Sequence, residues 1–83
     1  MPKVLVIDDD RSVLRLVEKA LVDLEFDYYS AETADAGMAL LQEQRPDMLL
    51  LDIMLPDKSG LKLAQEIRAY DAKLPVVLIT VSE

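Results

Sequence analysis

Apolar residues fall along this chain in two kinds of pattern. Val4–Ile7, Met48–Leu51 and Val76–Ile79 are unbroken runs, the last followed by Thr80. Runs of this length predict strands covered on both faces, as in a parallel sheet. "FDYYSA", Phe26 to Ala31, is short and aromatic and predicts a further strand, second in chain order. Between these runs the spacing turns helical. Val13, Leu16, Val17, Ala20, Leu21 and Leu24 form a stripe. Leu14 sits off that stripe, which predicts a helix covered on more than one side. Thr33 is placed to cap a second helix running to about Gln44, since Pro46 cannot continue it. Ser59 or Gly60 opens a third, with Leu63, Ala64 and Ile67 inward and "AKLP" (72–75) at its end.

The predicted order is βαβαβαβ. Strands alternating with helices across short connections argue an α/β fold with right-handed crossovers. The expected architecture is a flavodoxin-like, doubly wound parallel sheet of strand order 2-1-3-4. The 83 residues make one domain at most, with no repeat, low-complexity segment or linker.

Composition narrows the chemistry. The chain has no cysteine, hence no disulfide and no thiolate metal site, and no histidine, hence no imidazole acid–base pair. Its net charge of −7 repels nucleic acid phosphates and suits cations or basic partner surfaces. The apolar run near the N-terminus is too short for a signal peptide or a membrane span, so a cytoplasmic chain without membrane contact is expected.

"LLLDIMLPDKSG", residues 49–60, poses the chemical question, because an apolar strand ends on the charge of Asp52. A carboxylate at such a place needs a partner, a metal or a task. In a parallel sheet every strand's C-terminal end lies on one edge, and ligands bind there. Asp8 and Asp9 follow the first strand and Asp52 closes the third, its neighbour in the expected order. Three converging carboxylates repel one another unless a cation sits among them. With oxygen ligands only, the ion selected is a hard one, and Mg²⁺ fits. A carboxylate beside Mg²⁺ can also act as a nucleophile toward phosphorus. Thr80, at the end of the fourth strand, is placed to offer a hydroxyl to a phosphoryl oxygen on Asp52.

These residues carry a resemblance. "VLVIDDD", "RPD", "LLLDIMLPDKSG" and "LPVVLIT" together resemble the response-regulator receiver domain of two-component signalling, with Pro56 and Gly60 four and eight residues after Asp52. The resemblance implies that Asp52 is a phosphoacceptor served by a histidine kinase or phosphotransfer protein. It implies that Asp8, Asp9, Asp52 and the backbone carbonyl of Met54 hold Mg²⁺, and that Thr80 is a switch hydroxyl. It further implies a signalling phosphoprotein rather than an enzyme. The family pattern continues with a fourth helix, a fifth strand bearing a lysine and a switch aromatic, and a fifth helix, none of which has a counterpart in residues 1–83. Val81 also stands where a small residue usually follows the threonine. A partial receiver domain with impaired phosphorylation is therefore expected, self-associating through an exposed fourth-strand edge or the first-helix face.

Two other readings compete. One is an interaction module that is never phosphorylated. The other is a haloacid-dehalogenase-like phosphatase, since "VIDDDRSV" contains D-x-D-x-S with Asp8 as nucleophile, but it leaves Asp52, Pro56 and Gly60 unexplained. Asp10 is read as a helix N-terminal residue favoured by the helix dipole. Asp57 is read as a solvated turn residue, Lys58 as surface, and Tyr28–Tyr29 as strand packing.

Overall fold

A computed structural model describes residues 1–79. The strands are β1 (Lys3–Ile7), β2 (Asp27–Ala31), β3 (Met48–Asp52) and β4 (Val76–Ile79); the helices are α1 (Arg11–Asp23), α2 (Ala34–Gln44) and α3 (Gly60–Tyr70). All pairings are parallel and the order is β2-β1-β3-β4, the doubly wound arrangement that the sequence predicts. Thr80 lies outside the described residues, so the predicted fourth strand is described only to Ile79.

Side chains alternate across a strand, so each continuous apolar run feeds two cores. Leu5, Ile7, Leu49 and Leu51 point to one face and pack with Ala31, Ala34, Leu41, Leu63, Ile67 and Leu74 beneath α2 and α3. Val4 and Val6 point to the other face and pack with Leu14 of α1. This two-sided burial is why β1 is buried from Val4 to Ile7.

The first helix departs from its predicted stripe. Leu14, read as off the stripe, is the buried residue of α1, and Val17 and Leu21 pack beside it. Leu16 and Leu24, read as inward, are 72% and 67% exposed. The Tyr28 hydroxyl donates to the Leu14 carbonyl at 2.9 Å, tying β2 to this rotation of the helix. The third helix also ends before "AKLP". Its C-cap is Asp71, and the Arg68 guanidinium donates to the carbonyls of Ala72 and Leu74 at 2.9 and 2.7 Å, holding the turn into β4.

Each helix begins shortly after a strand ends, so all three helix N-termini lie at the sheet's C-terminal edge. Asp10 caps α1 by accepting from the Ser12 and Val13 N–H groups, Thr33 caps α2 through Ala36, and Ser59 caps α3 through Leu61. Such caps satisfy amides that have no partner within the helix. Among the described residues, no helix is long and apolar enough to cross a membrane.

Candidate functional site

The register of β1 on β3 pairs Ile7 with Leu51, so Asp8 and Asp52 occupy equivalent positions at the ends of adjoining strands. One carboxylate oxygen each from Asp8, Asp9 and Asp52 lies within 4.8 Å of the others. Asp8 is 2% exposed, Asp52 is half-buried and Asp9 is exposed. The Asp8 N–H continues the sheet by donating to the Ala31 carbonyl at 3.0 Å, which fixes the backbone where the side chain departs. Asp8 Oδ1 accepts from the Asp10 N–H at 2.9 Å.

Burial raises the Asp8 pKa above the ordinary carboxylate value. The Asp10 N–H partly offsets this by favouring the anion, while the neighbouring Asp52 and Asp9 charges push the pKa up further. No described cation relieves the cluster. Among the described residues the ion pairs are Arg11–Glu32 at 3.3 Å and Lys58–Glu66 at 3.1 Å, and neither includes any of the three aspartates. An uncompensated set of oxygen donors, one of them buried, is the donor set that hard divalent cations take. The residues present therefore fit Mg²⁺.

The chain after Asp52 is held tightly. Asp52 Oδ1 accepts from the Met54 N–H at 3.1 Å, bending the backbone out of the strand. Met54 and Ser59 form an isolated antiparallel bridge, and the Gly60 N–H donates to the Ile53 carbonyl at 2.6 Å. Gly60 is needed for this approach, because a Cβ there would overlap the Asp52 carbonyl oxygen and lie 2.7 Å from Ile53 Cα. The spacing of Gly60 from Asp52 is thus a consequence of backbone crossing backbone.

Of the sequence-predicted site residues, Asp8, Asp9 and Asp52 come together, and Met54 stands in the adjoining loop with its amide on Asp52. Thr80 falls outside the described residues. In the dehalogenase reading the second aspartate of D-x-D-x-S, Asp10, would be the acid–base group, but it is occupied as the cap of α1.

One reading is corrected, and the surface reading of Lys58 gains a partner. Asp57 is exposed but is not merely solvated, since its two oxygens accept from the Ala34 and Asp35 N–H groups at 2.8 and 3.0 Å. These two bonds lower its pKa. Lys58 is only 29% exposed along its side chain and donates to both oxygens of Glu66 at 3.1 Å. The N-terminus of α2 needs acceptors, of which Thr33 supplies one, but nothing in the sequence marks Asp57, 23 residues from Ala34, as another. A cleft lined by Leu41, Arg45, Pro46, Tyr70, Asp71 and Leu74 lies at the other end of α2 and α3 and plays no part in the carboxylate cluster.

A family model, response regulator receiver domain, matches residues 4–83. The transcriptional regulatory protein AfsQ1 of Streptomyces coelicolor is 38% identical over 80 residues, covering 96% of this chain and 35% of that protein. The transcriptional regulatory protein KdpE of Staphylococcus aureus is 40% identical over 81 residues, covering 94% of this chain and 33% of that protein. The chain thus spans about a third of the length of these relatives. Among solved structures, the BeF3-activated N-terminal receiver domain of Klebsiella pneumoniae RstA superposes with a TM-score of 0.90 at 31% identity, covering 98% of this chain and 68% of that one. A CheY-like receiver domain protein of Methanospirillum hungatei gives 0.95 at 24% identity, covering 100% and 66%, a likeness of fold alone.

Proposed function

We propose, for a chain that belongs to the response regulator receiver domain family, that Asp52 is the phosphoacceptor and that Asp8, Asp9, Asp52 and the Met54 backbone carbonyl hold Mg²⁺. The observation that carries this reading is the approach of three carboxylates to within 4.8 Å with no described cation among them. When bound, Mg²⁺ offsets the negative charge that gathers as a phosphoryl group meets a carboxylate. Asp8, buried and fixed by its own backbone, orients the acidic edge. Asp9, exposed, lies on the solvent side of the cluster. Asp52 projects from a strand end, where a donor can reach it.

The donor is a histidine kinase or a phosphotransfer protein. An Asp52 oxygen bonds to phosphorus as the phosphorus–nitrogen bond of the donor phosphohistidine breaks. The bonding pair leaves on the imidazole nitrogen and an acyl phosphate remains on Asp52. The role proposed for Thr80, a hydroxyl toward that phosphoryl group, rests on its sequence position after Ile79, the register partner of Asp52. The setting proposed is cytoplasmic signalling, without nucleic acid contact by this acidic segment.

A second reading has its own observation. Val77 and Leu78 of β4 are 47% and 42% exposed on opposite faces of the sheet, which favours self-association as a further role. One experiment separates these readings. The chain is incubated with acetyl phosphate and Mg²⁺, and the acyl phosphate is mapped by peptide analysis. Label at Asp52, absent in Asp52→Asn, is the expected result. Label at Asp8 would support the dehalogenase-type chemistry instead. No label after prolonged incubation would leave the interaction role.

A further inference from the structure

The loop between β3 and α3 is fastened at three points. Its base is closed by the Gly60–Ile53 hydrogen bond and the Met54–Ser59 bridge. On the α3 side Lys58 donates to both Glu66 oxygens. On the α2 side Asp57 takes two of the four amides that a helix N-terminus leaves without partners. Leu55, between them, packs against the core beneath α2 and α3. The α2 end of this contact leads back to the carboxylate cluster, because Ala31, at the end of β2, accepts the Asp8 N–H. Asp57 therefore joins the loop that follows Asp52 to the connection that borders Asp8.

We infer that Asp57 is a positioning residue: by capping α2 from outside that helix, its carboxylate holds the Met54 segment in place to offer its carbonyl to a cation at Asp8, Asp9 and Asp52. This rests on the Mg²⁺ reading above. Asp57 does not touch the cation. It acts through the backbone between Met54 and Asp57, which has one anchor at each end. The α2 amides lower the Asp57 pKa, so the cap stays charged further into acid than an ordinary aspartate would. Thr33 caps the same helix from within through the Ala36 amide and has no bond to the loop, so it separates loop positioning from helix stability.

The test is a calorimetric Mg²⁺ titration of the 83-residue chain and of Asp57→Ala, Asp57→Asn and Thr33→Ala, with amide exchange followed at Gly60. Asp57→Ala should weaken Mg²⁺ binding on the order of three- to tenfold, below the roughly 10- to 100-fold typical of partners that touch a ligand directly. It should also speed exchange of the Gly60 N–H. Asp57→Asn keeps one acceptor oxygen and should fall between Asp57→Ala and the unaltered chain. Thr33→Ala should lower the melting temperature and leave the Mg²⁺ affinity unchanged. Unchanged affinity in Asp57→Ala overturns the inference, as does an equal loss in Thr33→Ala. If Asp57→Ala does not fold, Asp57→Asn against the unaltered chain decides. If the unaltered chain binds no Mg²⁺, the metal reading falls, and Gly60 exchange then judges the clamp alone. Faster exchange in Asp57→Ala but not in Thr33→Ala sustains it, and equal rates overturn it.

Discussion

Asp8 is 2% exposed with two other carboxylates against it, and a charge so placed destabilises the fold that holds it. Burial and the neighbouring charges raise its folded pKa above 3.8, the value it has when free. Between those two values the folded state keeps a proton that the unfolded chain has lost. The contribution of Asp8 to stability is therefore greatest in acid, falls as pH rises through the folded pKa, and stays low at neutral pH. In Mg²⁺-free buffer at pH 7, Asp8→Asn should raise the melting temperature. Each 1 kcal/mol gained moves a domain of this size by roughly 4–8 °C. The same variant should flatten this part of the pH profile. Because asparagine keeps an oxygen to accept from the Asp10 N–H, a lowered melting temperature would contradict the repulsion itself. Asp57 has the opposite sign. Its pKa is lowered, so its contribution is present at neutral pH and is lost as pH falls through that lowered value. Comparing Asp8→Asn with the unaltered chain isolates the first effect from the second.

At the scale of elements, the β3–α3 loop shows what the site demands of its frame. Gly60→Ala sets a methyl group against the backbone of Asp52 and Ile53, which cannot move without moving the Asp52 carboxylate, the proposed phosphoacceptor. Strain of this kind should destabilise by roughly 2 kcal/mol or more, read as a fall in the urea midpoint. Gly37→Ala in α2 is the control. Its Cβ meets the side chain of the buried Ile7 rather than backbone, and alanine favours the helix by roughly 0.5–1 kcal/mol over glycine. Its loss should be the smaller, and an equal loss would show that Ile7 is as fixed as backbone. The meeting of Asp8, Asp9 and Asp52 was legible in the chain, because strand ends in a parallel sheet share an edge and the apolar runs mark where strands end. The bond of Asp57 to Ala34 and Asp35 was not, because an exposed aspartate in a turn looks the same whether water or a distant amide satisfies it. The rotation of α1 was hidden for another reason. Leu14, Leu16, Val17, Leu21 and Val22 offer more apolar positions than one side of the sheet can cover, and spacing alone does not choose among them. The Tyr28–Leu14 bond and the packing on Val4 and Val6 make that choice.

For the whole molecule, the two faces of the sheet are unequally covered among the described residues. The face carrying Leu5, Ile7, Leu49 and Leu51 lies beneath two helices, whereas Val4, Val6 and Leu50 have α1 alone. Val77, on the α1 side, is 47% exposed, and Leu16 and Leu24 of α1 are more open still. Sedimentation at micromolar concentration should therefore show a dimer, shifted toward monomer by Val77→Glu. A monomer throughout would remove the interaction role. The claim on which the rest depends is that Asp8, Asp9 and Asp52 form one cation site. It is tested most directly by melting the chain across a millimolar Mg²⁺ titration, beside Asp9→Asn. A ligand that binds only the folded state raises its stability by mass action, about 2.7 kcal/mol at a hundredfold excess over Kd. The melting temperature should climb with Mg²⁺ in the unaltered chain and stay flat in Asp9→Asn. A flat titration in the unaltered chain, or an equal climb in Asp9→Asn, would contradict the site.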